Sequence, residues 1–470
     1  MVKASSATST DLHLDLGGAG LRAGLMNALR DAIRTERLGP GTKLPSSRAL
    51  AVDLGIARNT VAECYAELIA EGWLVAQQGS GTRVARRARP LSSARAPARI
   101  SLPPFRPATG LMPGAPDLAE FPRTQWLAAA RRALMAAPND ALSYGDPRGQ
   151  PALRAILSEY LARSRGVYAE PERIVICAGF HQGLVLIAQA LKARRARSVA
   201  VESYGLDTYR RLLQSAGLHT PALYVDERGA RIDALTDLKD VGAVLLTPAH
   251  QYPTGVALDP DRRAAAVDWA RTVGGLLLED DYDGEFRYDR QPVGALQGLD
   301  PERVVYFGSA SKSLAPGLRL AWMVVPEELV AEVVVAKGNA DWSSALEQLT
   351  LADFIASGAY DRHVRLMRLH YRRRRDQLVA AVTNRSRRVR VTGMAAGLQA
   401  IVDLPAGTEK QVVAAAEIRG LGISGLSQFR CEKAGPGWDF PDRDALVVGF
   451  GGPSDSAWPS ALGALCSVLP

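Results

Sequence analysis

Several features that define special classes of protein are scarce or missing in this sequence. The four cysteines lie far apart and include no CxxC pair, so we expect neither a disulfide framework nor a zinc site. No run comes near the roughly 18 consecutive apolar residues that a membrane span needs. The N-terminus, MVKASSATSTDLHLDL, lacks the apolar core of a secretory signal. We therefore expect a cytoplasmic protein with no metal centre and no membrane contact.

Length and composition are ordinary for a folded chain of several domains. Hydrophobic residues make up 47%, charged residues 23% and aromatic residues 6%, which argues against disorder. At about 150 residues per domain, the length predicts roughly three units. The net charge of +8 is uneven, because residues 1–100 carry 14 Lys and Arg against 8 Asp and Glu. Such a basic N-terminal part is typical of a nucleic-acid-binding module, although an arginine-rich linker would also produce it.

The clearest change of composition lies at residues 84–108. The run VARRARPLSSARAPARISLPPFRPA is rich in Arg, Ala, Pro and Ser and has no hydrophobic period, so it cannot build a core. We predict an N-terminal domain over 17–86, a linker over 87–108 and a C-terminal domain over 109–470, with a large part at about 150–340 and a small part at about 350–470.

The N-terminal domain is predicted to contain three helices and a β-hairpin. Apolar residues recur every four positions over 21–33 and mark one helix face. Ser46 or Ser47 can cap a second helix, and Gly55 supplies the tight turn before a third helix that begins near Arg58. Two short β-rich runs around a glycine-containing turn follow, and they predict the wing of a winged helix.

The start of the third helix carries side chains suited to reading DNA. Residues at this end of a recognition helix reach base edges, where Arg pairs with guanine and Asn with adenine. A solvated helix start, capped by Asn59 or Thr60, is the alternative. The candidate DNA contacts are Arg58 and Asn59 to bases, Thr60 to a base or a phosphate, Arg48 to phosphate, and Gly81 and Thr82 at the wing tip.

The run LPSSRALAVDLGIARNTVAECYAELIAEGWLVAQQGSGTRV closely resembles the winged helix-turn-helix of the GntR family. In that family LPS-R-LA, R-TV--AY--L--EG and G-GT-V recur in this order and spacing. The resemblance covers about residues 17–86. It implies that the six residues named above contact a double-stranded DNA operator.

Downstream of the linker, apolar β-rich runs alternate with helix-like runs rich in Ala, Leu and Arg. This alternation predicts an α/β domain around a mostly parallel sheet with helices on both faces. The last 120 residues alternate less regularly and predict a smaller α+β domain. The strand candidates are 174–176, 198–201, 243–246, 276–278, 304–307 and 322–325.

Lys312 is the sharpest chemical signal. It lies in GSASKSLAPGLR, after the strand candidate 304–307, at the edge where open α/β sheets bind ligands. A lysine there can form a Schiff base with an aldehyde cofactor, while nearby hydroxyls and Arg319 offer phosphate contacts. For the lysine alone, a solvated side chain in a serine-rich loop is the alternative.

Three carboxylates and a tyrosine, Glu279-Asp280-Asp281-Tyr282, follow another strand candidate. A buried carboxylate keeps the pyridine nitrogen of pyridoxal phosphate protonated, and a tyrosine two residues later can bond the phenolic oxygen of that cofactor. An acidic loop or a divalent-metal site is the alternative. No suitable histidine accompanies these carboxylates.

Three further segments complete the pattern. AGFHQG, at 178–183, joins a strand to a helix and offers backbone amides to a phosphate. TPAHQYPTG resembles the NPTG loop of aminotransferases, and YGDPRGQPALR resembles their Y-D--G---LR segment. The order of all five elements resembles the fold-type-I pyridoxal-phosphate enzymes. After a GntR-type reader, it resembles the MocR subgroup, bacterial regulators with an aminotransferase-like sensor.

The MocR resemblance covers nearly the whole chain after residue 16 and implies a role for each matching residue. Lys312 would hold pyridoxal phosphate as a Schiff base, Asp280 would pair with the pyridine nitrogen and Tyr282 would bond O3′. The implied phosphate ligands are Gly179, Phe180, Ser309 and Arg319, with Tyr144 reaching the phosphate of the neighbouring subunit in a head-to-tail homodimer.

Two departures from the family patterns concern the effector pocket. Gln251-Tyr252 precede the proline where the enzymes have Asn, as in the regulators. The segment ESYGL ends in Leu206, where the subgroup's E-D-P-x-Y ends in an aromatic residue. We therefore expect an effector pocket that differs from that of better-known members.

The resemblance implies a pyridoxal-phosphate-dependent regulator that binds a specific DNA sequence, associates with the nucleoid when bound, and senses a small amino compound or the cofactor itself. We assign an acid group of the effector to Arg430, for which a surface arginine is the alternative. An active aminotransferase with a DNA-binding domain is the alternative function, and net turnover is left open. A cofactor-free dimerisation platform is disfavoured, because Lys312, Asp280, Tyr282 and Arg319 are all retained.

Overall fold

The computed structural model describes residues 20–35, 37–77, 81–86, 110–288, 293–338, 343–431 and 443–470. These residues belong to two units, one on each side of the predicted linker. The linker itself, 87–108, lies outside the described residues. In the described part of the chain, no helix is both long enough and apolar enough to cross a membrane.

The N-terminal unit contains three helices and a hairpin. The second helix begins where Ser46 Oγ accepts a hydrogen bond from the Ala49 amide at 3.2 Å, and it ends at Gly55, whose φ of 64° is left-handed. The elements are α1 (Leu21–Arg34), α2 (Ser47–Leu54), α3 (Arg58–Ala70), β1 (Leu74–Gln77) and β2 (Gly81–Val84), the two strands being antiparallel.

The core of this unit confirms most of the predicted helix faces. Leu25, Leu29, Val61 and Leu68 are fully buried in one cluster. Leu21 begins the predicted apolar series but is 58% exposed. Residues spaced four apart are rotated by about 40° from one to the next around a helix. A series of four such residues therefore drifts around the helix, and its first member, Leu21, no longer lies on the buried face.

The C-terminal unit contains the remaining elements. Its helices are α4 (Arg123–Ala136), α5 (Pro151–Arg165), α6 (Phe180–Ala193), α7 (Asp207–Ser215), α8 (Pro260–Val273), α9 (Glu327–Lys337), α10 (Ala345–Ala356), α11 (Ala359–Arg385), α12 (Glu409–Ile418) and α13 (Trp458–Val468). Its strands are β3 (Ile174–Cys177), β4 (Ser198–Glu202), β5 (Ala222–Leu223), β6 (Val225–Asp226), β7 (Gly229–Ala230), β8 (Val241–Leu246), β9 (Leu276–Asp280), β10 (Val304–Ser309), β11 (Ala321–Val324), β12 (Arg390–Thr392), β13 (Gln399–Asp403), β14 (Ser424–Gly425) and β15 (Ala445–Gly449).

A seven-stranded sheet forms the centre of this unit, in the order β3-β11-β10-β9-β8-β4-β5. Only β11 runs antiparallel to its neighbours in this sheet. All six strand candidates belong to it. Alternate residues of β3 enter two separate cores, with Val175 and Cys177 on one face and Ile174 and Ile176 on the other. The predicted mostly parallel α/β sheet with both faces covered is therefore confirmed.

A second, antiparallel sheet follows in the order β12-β13-β15-β14. Tyr371 and Leu378 of α11 and Leu465 of α13 pack in one core with Val402 and Val448 from its strands. This arrangement confirms the smaller α+β part predicted at the C-terminal end.

Candidate functional site

A cavity of about 410 Å³ lies at one edge of the large sheet. Strands β4, β8, β9 and β10 are parallel and end together at this edge, where ligands of open α/β sheets bind. Glu202 ends β4, Thr247 follows β8, and Asp280 ends β9. The topology thus brings side chains that are far apart in sequence into one wall. Described residues of that wall include Pro113, Gly114, Glu202, Tyr204, Leu206, Tyr209, Arg210, Thr247, Tyr252, Asp280, Tyr282 and Lys312.

Lys312 reaches the cavity from the turn after β10. Its Nζ donates a hydrogen bond to the carbonyl of Gly114. Burial lowers the pKa of the Lys312 amine, and the charges of Asp283 and Asp280 oppose that effect. A lowered pKa increases the neutral fraction of the amine, which is the form that attacks an aldehyde.

The three consecutive carboxylates have different partners. Glu279 accepts hydrogen bonds from the amides of Leu296 and Gln297 at 2.7 and 2.9 Å. Asp281 forms a two-point ion pair with Arg165 at 2.6 and 2.9 Å. Neither carboxylate joins the cavity wall. The three side chains therefore do not converge as the ligands of a metal site.

Of these three consecutive carboxylates, Asp280 is the one that lines the cavity. Among the described residues, no hydrogen bond reaches its carboxyl oxygens. Burial and the nearby charge of Asp281 raise its pKa well above the usual range, while Lys312 opposes the shift. A cationic ring nitrogen would restore its charge, so this carboxyl fits the pyridinium of pyridoxal phosphate.

Tyr282 is held by a network that the sequence analysis did not identify. Gln399 Nε2 donates to Tyr282 Oη at 2.8 Å, and His250 Nδ1 lies 3.0 Å from the same oxygen. His250 Nδ1 also lies 2.8 Å from Asp283 Oδ2. His250 is in the loop that resembles NPTG, and Asp283 directly follows Tyr282. Their positions beside these two motifs are the sequence feature that could have identified them as site residues.

The predicted phosphate ligands also meet at the end of the sheet. Strand register places Ser309 and Cys177 on either side of Ala321, and Gly179 lies two residues beyond Cys177. Arg319 Nη2 donates to the carbonyl of Ala178. Gly179 has a φ of 91°, and a Cβ there would collide with the Arg319 guanidinium. Helix α6 begins at Phe180, so amides, a hydroxyl and a guanidinium form a cradle that fits a phosphate.

In the N-terminal unit, the predicted base-reading residues lie at the exposed start of α3. Arg58 and Asn59 are exposed and Thr60 is half-buried. The N-cap of α3 is Ala57, and no side chain caps the helix, which removes the capping alternative. Arg48 is exposed on α2.

The arginines of this unit differ in their partners. Arg22 pairs with Glu67 and Arg30 with Glu71. Within the described residues, neither Arg48 nor Arg58 forms an ion pair. Their charges are therefore available to an external anion.

Comparison with known proteins decides the family. Residues 21–84 match the bacterial regulatory proteins of the gntR family, and residues 109–438 match the aminotransferases of class I and II. The chain is 33% identical to the HTH-type pyridoxine biosynthesis transcriptional regulator PdxR of Corynebacterium glutamicum, over 91% of each chain. It is 31% identical to the probable rhizopine catabolism regulatory protein MocR of Rhizobium meliloti, over 91% of this chain and 89% of that one.

The chain belongs to the MocR-type GntR regulators. An archaeal alanine:glyoxylate aminotransferase shares the fold of the second unit, with a TM-score of 0.68 at 24% identity over 76% of this chain and 90% of that chain. The predicted resemblance is confirmed. The protein is a transcriptional regulator in which a DNA-binding GntR domain precedes an aminotransferase-like domain. The fold family of that domain is pyridoxal-phosphate-dependent.

Of the predicted cofactor and effector residues of this MocR-type regulator, Lys312, Asp280 and Tyr282 line the cavity. The cradle residues Gly179, Phe180, Ser309 and Arg319 do not line it, and two further predicted residues do not either. Tyr144 is 95% exposed and does not line it. Arg430 lines a neighbouring groove with Gln428 and His219, and its backbone forms a β-bridge with Tyr204. The structure therefore does not bring Arg430 together with Lys312 in the cavity wall.

Glu202 is a buried cavity residue to which the sequence analysis gave no role. Its Oε2 accepts hydrogen bonds from Thr247 Oγ1 at 2.5 Å, from the Thr247 amide at 3.2 Å and from Gln251 Nε2 at 3.2 Å. Burial raises the pKa of Glu202 to about 7, despite these three donors. The folded protein therefore binds this proton more tightly than the unfolded chain does.

The variant Glu202→Gln is expected to alter how stability depends on pH. Because the folded pKa is raised, ionising Glu202 destabilises the wild type above pH 7, and protonation relieves this as pH falls toward 4.5. Each pKa unit corresponds to about 1.4 kcal/mol. The free energy of unfolding of the cofactor-free variant should therefore be about 1–3 kcal/mol higher than that of the wild type at pH 8 and equal to it at pH 5. Denaturant titrations at both values measure this. The control Glu227→Gln, at an exposed position, should leave the free energy of unfolding unchanged at both pH values. A Glu202→Gln protein that is less stable than the wild type at pH 8 would contradict the prediction.

Proposed function

We propose that this regulator uses pyridoxal phosphate to sense a small amino compound, or senses the cofactor itself, and adjusts its binding to a specific operator accordingly. The observation that carries the proposal is the set of groups at one sheet edge. A lysine with a lowered pKa, a carboxyl without a hydrogen-bond partner among the described residues, a phenol and a phosphate cradle lie together there. Each matches one part of the cofactor.

The roles of the residues follow from that match. Lys312 would hold the cofactor covalently, Asp280 would pair with its ring nitrogen and Tyr282 would donate to its phenolic oxygen. The phosphate would be held by the cradle residues Gly179, Phe180, Ser309 and Arg319. When bound, pyridoxal phosphate supplies an aldehyde carbon that a primary amine can take over from Lys312.

The contact between Lys312 and Gly114 supports a route from this site to the DNA reader. Gly114 lies six residues beyond the predicted end of the linker at 108. A ligand that engages the Lys312 amine competes with the Gly114 carbonyl for its hydrogen. The occupancy of the site is thereby coupled to the segment around Gly114, which directly follows the linker. A ligand that binds more tightly when the Lys312–Gly114 hydrogen bond is broken shifts the population toward that state.

The DNA contacts proposed are Arg58 and Asn59 to bases, Thr60 to a base or a phosphate and Arg48 to phosphate, with Gly81 and Thr82 of the wing at the minor groove. The exposure of the α3 start and the unpaired charges of Arg48 and Arg58 support this assignment. Paired arginines such as Arg22 would lose an ion pair on binding phosphate, whereas these two would not.

A head-to-tail homodimer completes the proposal. Between residues 118 and 144, apolar side chains are exposed, including Leu127 at 70% and Met135 at 80%. Such a patch is typical of a subunit interface. Tyr144 ends this segment and does not line the cavity of its own chain, so we assign it to the phosphate of the partner's cofactor.

The proposed function is tested by titrating primary amines against the cofactor-loaded protein while recording both absorbance and operator binding. At least one amine that changes the cofactor absorbance should also change operator affinity or footprint by several-fold. The matched N,N-dimethyl amine cannot condense with an aldehyde and should change neither. If every amine that reacts leaves DNA binding unchanged, and cofactor-free and loaded proteins bind the operator alike, the sensing function is wrong.

A further inference from the structure

One cation in the cavity wall has no role in holding the cofactor. Arg210, on α7, lines the cavity together with Lys312, Leu206 and Tyr209. Its side chain is only 10% exposed. Among the described lining residues, Lys312 and Arg210 are the two cations.

The hydrogen bonds of Arg210 leave part of its guanidinium unused. Nη2 lies 3.3 Å from Asp207 Oδ1. Nη1 is buried and has no hydrogen-bond partner among the described residues. Asp207 also pairs with Arg211 Nε at 2.5 Å, and its side chain is 43% exposed, so Asp207 compensates Arg210 only in part. A buried donor without a partner is costly. Because Arg210 lines the cavity and its charge is only partly compensated, an anion bound in the cavity would complete that compensation.

The rest of the wall favours an anion at this position. Val201, Leu206 and Leu245 are apolar, which strengthens a charge pair by excluding water. Of the two acids in the wall, Glu202 is engaged by Thr247 and Gln251. Asp280 is the residue assigned to the ring nitrogen. Neither acid is hydrogen-bonded to Arg210.

We propose that Arg210 binds the carboxylate of the effector, which is an amino acid rather than a simple amine. This inference rests on the proposed function, because it assumes that the amino group of the same ligand replaces Lys312. It transfers to Arg210 the role that the sequence assigned to Arg430. Arg430 lines only the neighbouring groove, whereas Arg210 lines both the groove and the cavity.

The test compares amino acids with amines of matched length on the cofactor-loaded protein. The probes are L-alanine and β-alanine against ethylamine, and 4-aminobutyrate against propylamine, each titrated by cofactor absorbance. The wild type should bind at least one acid at least tenfold more tightly than its amine. Arg210→Met should abolish that preference and change the affinity for the amine less than twofold. Arg211→Met, a neighbour that also pairs with Asp207 but is 79% exposed, should behave like the wild type.

Other results would overturn the inference. These are a wild type without any preference for the acids, an Arg210→Met variant that keeps the preference, or a loss that appears equally in Arg211→Met. Loss in Arg430→Met with retention in Arg210→Met would return the role to Arg430. If Arg210→Met fails to fold, Arg210→Gln is titrated instead, with the same expected loss.

A second measurement separates this inference from the proposed function. If borohydride reduction does not attach pyridoxal phosphate to the wild type, the proposed function fails. Thermal unfolding of the cofactor-free chain with sodium butyrate then decides the role of Arg210. Stabilisation of the wild type that is lost in Arg210→Met supports an acid-binding Arg210, and its absence from the wild type overturns it.

Discussion

Replacing Lys312 by alanine is expected to abolish covalent attachment of pyridoxal phosphate. Among the described residues, the Lys312 amine is the only one in the cavity wall. Lys337, the lysine that is buried in the described part of the chain, donates to the carbonyls of Pro147 and Ile176 at 2.5 and 2.7 Å and does not line the cavity. No second amine is therefore placed to replace Lys312 in the described part of the chain.

Borohydride reduction followed by peptide mass analysis measures this result. The wild type should carry the cofactor on the peptide that contains Lys312, and the variant should carry none. Lys410→Ala, at an exposed position of α12, is the matched control and should label like the wild type. Because the phosphate cradle does not include Lys312, the variant should still bind the cofactor reversibly. A stable adduct on any lysine of Lys312→Ala would show that the lysine assignment is wrong.

The sequence predicted the sheet well because its strands are buried on both faces. Runs such as 243–246 and 304–307 are wholly apolar and therefore stand out from the helices between them. Strand β5, with only Ala222 and Leu223, was not predicted, since two residues carry no period. The direction of β11 also depends on its pairing with β3 and β10, which is not visible in a local pattern.

The site was predictable where a motif fixed the residue and unpredictable where side chains compete for partners. Glu279, Asp280 and Asp281 are alike in sequence. Only the folded chain shows that Arg165 neutralises Asp281 and that two backbone amides bind Glu279. Successive residues of a strand point to opposite sides, so Asp280 is expected on the other side from Glu279 and Asp281. The sequence does not show which side holds the cavity and which holds the partners of the other two carboxylates.

The choice between arginines in the effector pocket was similarly hidden. Arg210 and Arg211 are adjacent on α7, where consecutive side chains point about 100° apart. One is 90% buried and lines the cavity, and the other is 79% exposed. Arg430 was chosen for its position in the C-terminal part. Choosing the right arginine requires knowing which residues line the cavity, and this depends on the tertiary fold.

In the DNA-binding unit, Arg58→Ala and Arg48→Ala are expected to weaken operator binding in different ways. Arg58 begins α3, so its guanidinium can make a two-point contact with guanine. Its loss should cost about 1–3 kcal/mol and relax the preference at a single base pair. Arg48 lies on α2, where a phosphate contact is expected. Its loss should weaken binding to all sequences alike and reduce the salt slope by about 1.

Binding of each variant to an operator and to its single-base substitutions, at several salt concentrations, separates the two roles. Arg37→Ala is the control, because this exposed arginine lies outside α2 and α3. The division of roles would be wrong if both substitutions lowered affinity by the same factor for every operator variant. It would also be wrong if Arg58→Ala changed only the salt slope, since a phosphate contact carries no base preference. Base preference and salt dependence therefore assign each arginine its contact independently of the size of the affinity loss.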